Sequence, residues 1–162
     1  MSSDKLPRCK FNESGLVVRV VHKMAADVSL ISPVVEDVIR VARELGCAEG
    51  QEFEIDLALR EALANAIRHG GGSDPSKQIE CCIACDLDQG MLIVVRDPGP
   101  GFDPATLPSP ILGENVFSTH GRGIYLINQL MDEVRFEKGG TEIHMVKRPR
   151  APVRRKSRSG PG

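Results

Sequence analysis

The stretch Arg60-Glu-Ala-Leu-Ala-Asn-Ala-Ile-Arg-His-Gly70 decides how the rest of the chain is interpreted. It ends a segment, residues 52–69, that we predict to be one helix, because apolar residues recur every three to four positions and three glycines follow. Glu61, Asn65 and Arg68 stand at i, i+4 and i+7 on a polar stripe. This stripe is either a solvated helix face or a candidate base beside an amide ligand for a hard cation. The predicted core stripe of the same helix is Ile55, Leu59, Ala62, Leu63, Ala66 and Ile67.

Two short glycine motifs follow this helix. A carboxylate at the end of a strand can accept a hydrogen bond from an exocyclic amine such as that of adenine, and free amides at a helix N-terminus can bind phosphate. Each motif alone is equally well explained as a turn. The chain has no Walker sequence, and no hydrophobic strand precedes the second motif as a Rossmann fingerprint requires. The first glycine motif is Asp97-Pro-Gly99-Pro-Gly101-Phe102, and the second is Gly121-Arg122-Gly123-Ile124.

The remaining periodicities predict further strands and helices around these motifs. We expect an α/β two-layer sandwich (an α+β fold), in which three helices cover one face of a mixed, mostly antiparallel sheet. The first helix is predicted to start with Ser32 as N-cap and to end at Gly46. The predicted strands are residues 16–21, 78–86, 91–97, 133–137 and 141–147, the other helices are 32–45 and 122–131, and 98–120 is predicted as loop.

Length and composition allow one domain with two tails. The 162 residues are 41% hydrophobic and 27% charged, which is ordinary globular composition. Residues 1–146 hold 14 Lys and Arg against 22 Asp and Glu, whereas residues 147–162 hold seven Lys and Arg and no acid. We predict an N-terminal tail (1–14), a domain (15–148) and a basic disordered tail (149–162). The alternative for this tail is electrostatic contact with an acidic partner, nucleic acid or a membrane surface. Disorder is favoured and no direct nucleic acid binding is expected, because the tail has no aromatic residues for base stacking.

Neither a signal peptide nor an apolar run near 18 residues is visible in the sequence, so no membrane association is predicted and the expected location is the cytoplasm. The chain has five cysteines. An odd number in such a compartment predicts no disulfide framework. Cys82 and Cys85 are three positions apart on a predicted strand, so they should point to opposite faces and act as small buried side chains rather than as a metal site.

Taken in order, Glu61-x-x-x-Asn65 and the two glycine motifs resemble the N, G1 and G2 boxes of the GHKL ATPases, which share the Bergerat fold. Over residues 15–148 the chain most resembles the bacterial anti-sigma-factor serine/threonine kinases. The resemblance implies ATP and Mg²⁺ as ligands and transfer of phosphate to a serine of a STAS-type antagonist (an anti-anti-sigma factor). It also implies sequestration of a sigma factor and a homodimer.

The resemblance further implies roles for individual residues. Glu61 would be the general base and Asn65 the Mg²⁺ ligand, while Asp97 would bind adenine with support from Thr141. The second glycine motif would meet the phosphates at the edge of a lid formed by residues 104–120. His69 is equally well explained as a packing residue at a helix end. The other residues assigned to the ATP site are Arg68, His69, Gly99, Gly101, Phe102, Gly121, Arg122, Gly123 and Ile124.

Two other functions remain open on the sequence. The chain is either an ATP-gated binding protein without turnover, against which Glu61 argues because pure binding needs no base, or a small ATP hydrolase. A hydrolase would use the same base on water, so only the fate of the phosphate separates it from a kinase.

Overall fold

The structure, a computed structural model, describes residues 18–100 and 119–150. Within these ranges, short turns of non-α helix occur at Val28–Leu30, Ala66–Gly70 and Lys138–Gly140, and the second of these is a π-helical turn. The strands are β1 (Val18–Ala25), β2 (Gln78–Asp86), β3 (Gly90–Arg96), β4 (Glu133–Glu137) and β5 (Glu142–Lys147), and the helices are α1 (Ile31–Leu45), α2 (Glu52–Asn65) and α3 (Thr119–Leu130).

The five described strands form one sheet in the order β1-β2-β3-β5-β4, and each neighbouring pair is antiparallel. This confirms the predicted α+β sandwich, and the described strands contain no parallel pair. Hairpins join β2 to β3 and β4 to β5, whereas α3 lies between β3 and β4 in the chain. Because β3 and β5 are antiparallel, the last residue of β3, Arg96, lies opposite the first residue of β5, Glu142.

The main core lies between the helices and one face of the sheet. The six residues of the predicted core stripe, four on α2 and two (Ala66 and Ile67) on the π-helical turn, are all buried there, together with Val35, Val38 and Ile39 of α1. Strand alternation supplies the facing layer, so Ile83, Ile93 and Val95 point toward the helices, whereas Ala84, Leu92 and Val94 belong to a smaller cluster on the other face. Each large apolar side chain buried in this way stabilises the fold by about 1.5–3 kcal/mol.

A charged cluster lies on the helix-free face, at the end of the sheet next to Asp97. The Arg96 guanidinium donates to Glu142 Oε2 at 2.6 Å and to Glu80 Oε1 at 2.9 Å, and His144 Nε2 lies 3.1 Å from Glu142 Oε1. Burial lowers the pKa of His144 below its ordinary value, against the opposing effect of Glu142. Burial opposes ionisation of Glu142, but hydrogen bonds from His144 and Arg96 outweigh it and hold the pKa of that carboxyl below its ordinary value.

The predicted helix 52–69 is α-helical only as far as Asn65 and continues as the π-helical turn Ala66–Gly70. The boundaries of the other two helices agree with the predictions with two exceptions. Ser32 is not the N-cap of α1, because the helix begins at Ile31 after a 3₁₀ turn that is capped by Asp27, whose carboxylate accepts from the Ser29 N–H at 2.9 Å. Pro33 still lies in the first turn, where its missing N–H costs nothing. At the other end Gly46 takes a φ of +74°, which confirms it as the terminating residue. The second exception is α3, which begins at residue 119 rather than at 122.

The prediction that the chain has no disulfide is wrong for one pair of cysteines. Cys47, in the turn after α1, is bonded to Cys85 of β2, with their Cα atoms 6.0 Å apart. Cys81 and Cys82 are buried free thiols and Cys9 lies outside the described residues, so an odd total of five does not exclude one bonded pair. Cys82 and Cys85 do lie on opposite faces of the sheet, as their spacing predicts.

The end of the predicted domain and the first residues of the basic tail contact the rest of the domain. The Arg148 N–H donates to Asp132 Oδ2 at 2.6 Å, and the Arg150 guanidinium donates to the Gly50 carbonyl at 2.8 Å. Residues 151–162 lie outside the described part, so the three-part division of the chain stays a prediction. No helix in residues 18–100 and 119–150 is long and apolar enough to cross a membrane.

Candidate functional site

A cavity of about 250 Å³ lies between α2, α3 and the helix-facing side of the sheet. Its walls are largely apolar, because Val95, Ile143 and Phe136 sit opposite one another on the adjacent strands β3, β5 and β4, and Ile124 and Ile127 of α3 lie across from them. Four of the lining residues, Asn65, His69, Asp97 and Thr141, carry polar side chains. Apolar walls with a few fixed polar groups are typical of a small-molecule site, here one able to hold a flat ring.

The carboxylate of Asp97 is fixed where β3 ends. Its backbone N–H donates to the Thr141 carbonyl at 2.9 Å, which extends the β3–β5 ladder by one bond. The Gly99 N–H donates to Asp97 Oδ1 at 2.8 Å. Burial raises the pKa of Asp97, while the Gly99 hydrogen bond and the nearby His69 oppose the rise. The result is a half-buried acceptor at the cavity wall.

Glu61 and Asn65 meet the second glycine motif where α2 packs against α3. A Cβ on Gly123 would lie 2.6 Å from Glu61 Oε1 and 3.0 Å from Asn65 Nδ2. Any larger residue would therefore push these two side chains aside. Because residue 123 has no side chain, α2 and α3 approach closely enough for the Glu61 carboxylate and the Asn65 amide to lie together against it.

Asn65 offers an oxygen that suits a metal ion. Its Oδ1 is buried and has no hydrogen-bond partner in the part of the chain that the structure describes. An orphaned buried acceptor costs about 1–3 kcal/mol, and a bound cation would remove that cost at Asn65. No group of three or more His, Cys, Asp and Glu side chains able to hold a metal occurs among the described residues. The single amide oxygen of Asn65 fits Mg²⁺, which takes one or two protein oxygens and completes its shell with phosphate and water.

The structure brings most, but not all, of the predicted site residues together. Ile124 and Thr141 line the cavity, and the Thr141 hydroxyl donates to the Lys138 carbonyl at 2.9 Å. Arg68 is exposed and is not one of the described residues that line it. Gly121 and Arg122 belong to α3, but the Arg122 side chain lies outside the described part, as do Gly101 and Phe102.

Several cavity residues are absent from the predicted site. Val95, Ile143 and Phe136 alternate with outward-facing residues on their strands, so the period of the strands marks their face but not their contact with a ligand. The sequence predicts Gly70 only as a helix terminator. The π-helical turn that ends there has no signal in the sequence, although such turns recur at functional sites.

Comparisons with known proteins identify the family of the chain. A family model described as the histidine kinase-like ATPase domain matches residues 10–147. The serine-protein kinase RsbW of Bacillus subtilis (strain 168) is 29% identical over 117 residues, which cover 66% of this chain and 71% of the relative. RsbW of Staphylococcus aureus (strain MSSA476) is 33% identical over 98 residues, which cover 56% of this chain and 62% of the relative. Because the family model spans most of its length, the chain belongs to the histidine kinase-like ATPase domain family.

Proposed function

We propose that the protein is an ATP-dependent serine/threonine kinase that phosphorylates a serine of a partner protein. The observation that carries the proposal is the meeting of Glu61 and Asn65 at Gly123, beside an apolar cavity with Asp97 in its wall. One site then offers a proton acceptor, a cation ligand and an acceptor for the amine of a base. A pure binding pocket needs no proton acceptor, so the arrangement favours group transfer over simple nucleotide binding.

The adenine ring of ATP would lie in the cavity, against Val95, Ile124 and Ile143. Asp97 would accept a hydrogen bond from the exocyclic amine of the ring, since Gly99 already holds its Oδ1 and leaves Oδ2 for a ligand. A base that offers a carbonyl at the same position would meet the carboxylate with a second acceptor. ATP should therefore bind in preference to GTP.

Asn65 would contribute its Oδ1 to Mg²⁺. The ion would neutralise charge on the phosphates while transfer takes place. The residues of α3 would meet the phosphates, with Gly121 and Gly123 leaving the backbone open to them.

Glu61 would accept the proton of the serine hydroxyl as its oxygen forms a bond to the γ-phosphorus and the bond to ADP breaks. Most of the acceleration in such a transfer comes from positioning and charge stabilisation, and a general base adds about 10²–10⁴-fold. The carboxylate needs a fixed direction for this, which the close packing against Gly123 supplies.

The partners are proposed from the resemblance and from the relatives named serine-protein kinases. The substrate would be a STAS-type anti-anti-sigma factor, and the same protein would act as an anti-sigma factor by sequestering a sigma factor. A homodimer and a cytoplasmic location complete the proposal.

The test is transfer of label from γ-³²P-ATP to a purified STAS-domain protein, with Mg²⁺, by the wild type and by Glu61→Gln. The glutamine keeps the shape of the side chain and cannot take a proton at neutral pH. We expect labelled protein from the wild type, at least about 100-fold less from the variant, and similar ATP affinity for both. Free phosphate without labelled protein indicates a hydrolase instead. Bound ATP that is not turned over indicates an ATP-gated binding protein.

A further inference from the structure

Gly70 and Asp97 are in closer contact than any other residue at position 70 allows. A Cβ on Gly70 would lie 2.0 Å from Asp97 Cγ, 2.1 Å from its Oδ1 and 2.5 Å from its Cβ. Non-bonded carbon atoms pack at about 3.5–4.0 Å, so these separations are far inside contact distance. The carboxylate of Asp97 occupies the space that a side chain at position 70 would fill.

The backbone does not require glycine at position 70. The residue ends the π-helical turn, and it is not among the described glycines with a positive φ, whereas Gly72 has a φ of +61°. Alanine is therefore compatible with the local backbone conformation at position 70. The three nearest atoms that a Cβ at position 70 would meet all belong to Asp97, so that side chain is the reason for glycine there.

Gly99 completes the enclosure of the carboxylate. A Cβ there would lie 2.4 Å from the Gly70 carbonyl oxygen and 2.6 Å from its Cα, both of them backbone atoms that cannot move aside. The Gly99 N–H also donates to Asp97 Oδ1. Two glycines from separate parts of the chain thus hold one carboxylate oxygen between them.

We propose that Gly70 is a positioning residue for base selection: the empty space at its Cα seats the Asp97 carboxylate so that it distinguishes an amine from a carbonyl on the bound purine. The inference rests on the proposed function, since it concerns the residue that reads the base. Gly70 itself also lines the cavity, next to the carboxylate that it seats.

The test compares affinities for ATP and for inosine triphosphate, which carries a carbonyl in place of the 6-amino group, by calorimetry with Mg²⁺. The wild type should prefer ATP by about tenfold or more, the factor expected for a hydrogen bond to a charged group. Gly70→Ala should bring this preference close to one while the triphosphate still binds. Gly71→Ala is the matched control, because its Cβ would press on Ala26 at 2.7 Å and does not touch Asp97. It should keep the wild-type preference.

Each outcome decides the inference. If Gly70→Ala weakens the binding of both nucleotides equally and keeps the preference for ATP, the glycine is merely structural and the inference is overturned. The inference is also overturned if Gly71→Ala changes the preference as much as Gly70→Ala does. Equal binding of both nucleotides by the wild type overturns it and leaves ATP binding standing, whereas no binding of either defeats the proposed function as well. If Gly70→Ala does not fold, Gly70→Ala/Asp97→Gly, which removes all three atoms in collision, should restore folding. A failure of that double variant to fold also overturns the inference.

Discussion

Breaking the Cys47–Cys85 bond should lower the stability of the domain by about 4 kcal/mol. The two cysteines are 38 positions apart. Closing a loop of that length removes about 13 cal/mol/K of entropy from the unfolded chain, which is about 4 kcal/mol at 25 °C. For a domain of this size the corresponding fall in Tm is about 8–16 °C. The total stability of a typical domain is about 5–15 kcal/mol, so the bond supplies a large share of it.

The assay is urea unfolding with and without a phosphine reductant, with thiols counted by mass spectrometry after alkylation. Both cysteines are buried, so the chain must be reduced while unfolded and then refolded. The double variant Cys47→Ala/Cys85→Ala should be as unstable as the reduced wild type or more so, and reductant should not change it. Cys81→Ala, which removes a free buried thiol, should keep the response to reductant.

Equal unfolding midpoints for the reduced and oxidised wild type would refute the loop-entropy argument. The proposed cytoplasmic location would favour the reduced form of this cysteine pair, because the cytosol keeps most thiols reduced. The two midpoints therefore give the stability of the domain in each compartment.

Three further predictions concern the site and the charged cluster. Asn65→Ala should weaken Mg²⁺-dependent ATP binding by about tenfold or more. The Tm should stay level or rise, because the variant removes an orphaned buried oxygen that costs about 1–3 kcal/mol. A fall in both ATP affinity and Tm would contradict a ligand role. Gly123→Ala should slow phosphotransfer in single-turnover assays by about 100-fold by displacing Glu61, with ATP binding less affected, and an unchanged rate would exclude the contact as important. Unfolding free energy should fall as pH drops below 6.5, the ordinary pKa of His144, because the unfolded chain then binds a proton that the folded chain does not, and further below 4.5, the ordinary pKa of Glu142. His144→Gln should flatten the first of these slopes in urea titrations at pH 7.5 and 5.0, and an identical slope would exclude His144 as its cause.

Most of the fold could be predicted from the sequence, because the patterns that indicate helices and strands are local. The core stripe of α2 and the alternation in β2 and β3 predict which side chains are buried, and Gly46 marks the end of α1. The errors are also local and have local causes. Ser32 followed by Pro33 fits the pattern of a capped helix start, but α1 already begins at Ile31 and has no side-chain cap; the capping hydrogen bond that Asp27 makes belongs to the 3₁₀ turn before it. Serine, proline and aspartate all favour helix starts, so their order alone does not choose between them.

The site was predictable only in part, because its closest contacts join residues far apart in the sequence. Asp97 and Asn65 follow from residue type and motif order, but the contact of Gly70 with Asp97 and that of Gly123 with Glu61 depend on how β3 and α3 pack against α2. A glycine in a sequence signals a turn first, and only the neighbouring atoms show that its missing Cβ makes room for a carboxylate. Three of the glycines around this site lack a positive φ and are needed for space: Gly70, Gly99 and Gly123. Their substitution should therefore change how the nucleotide is held before it changes whether the chain folds.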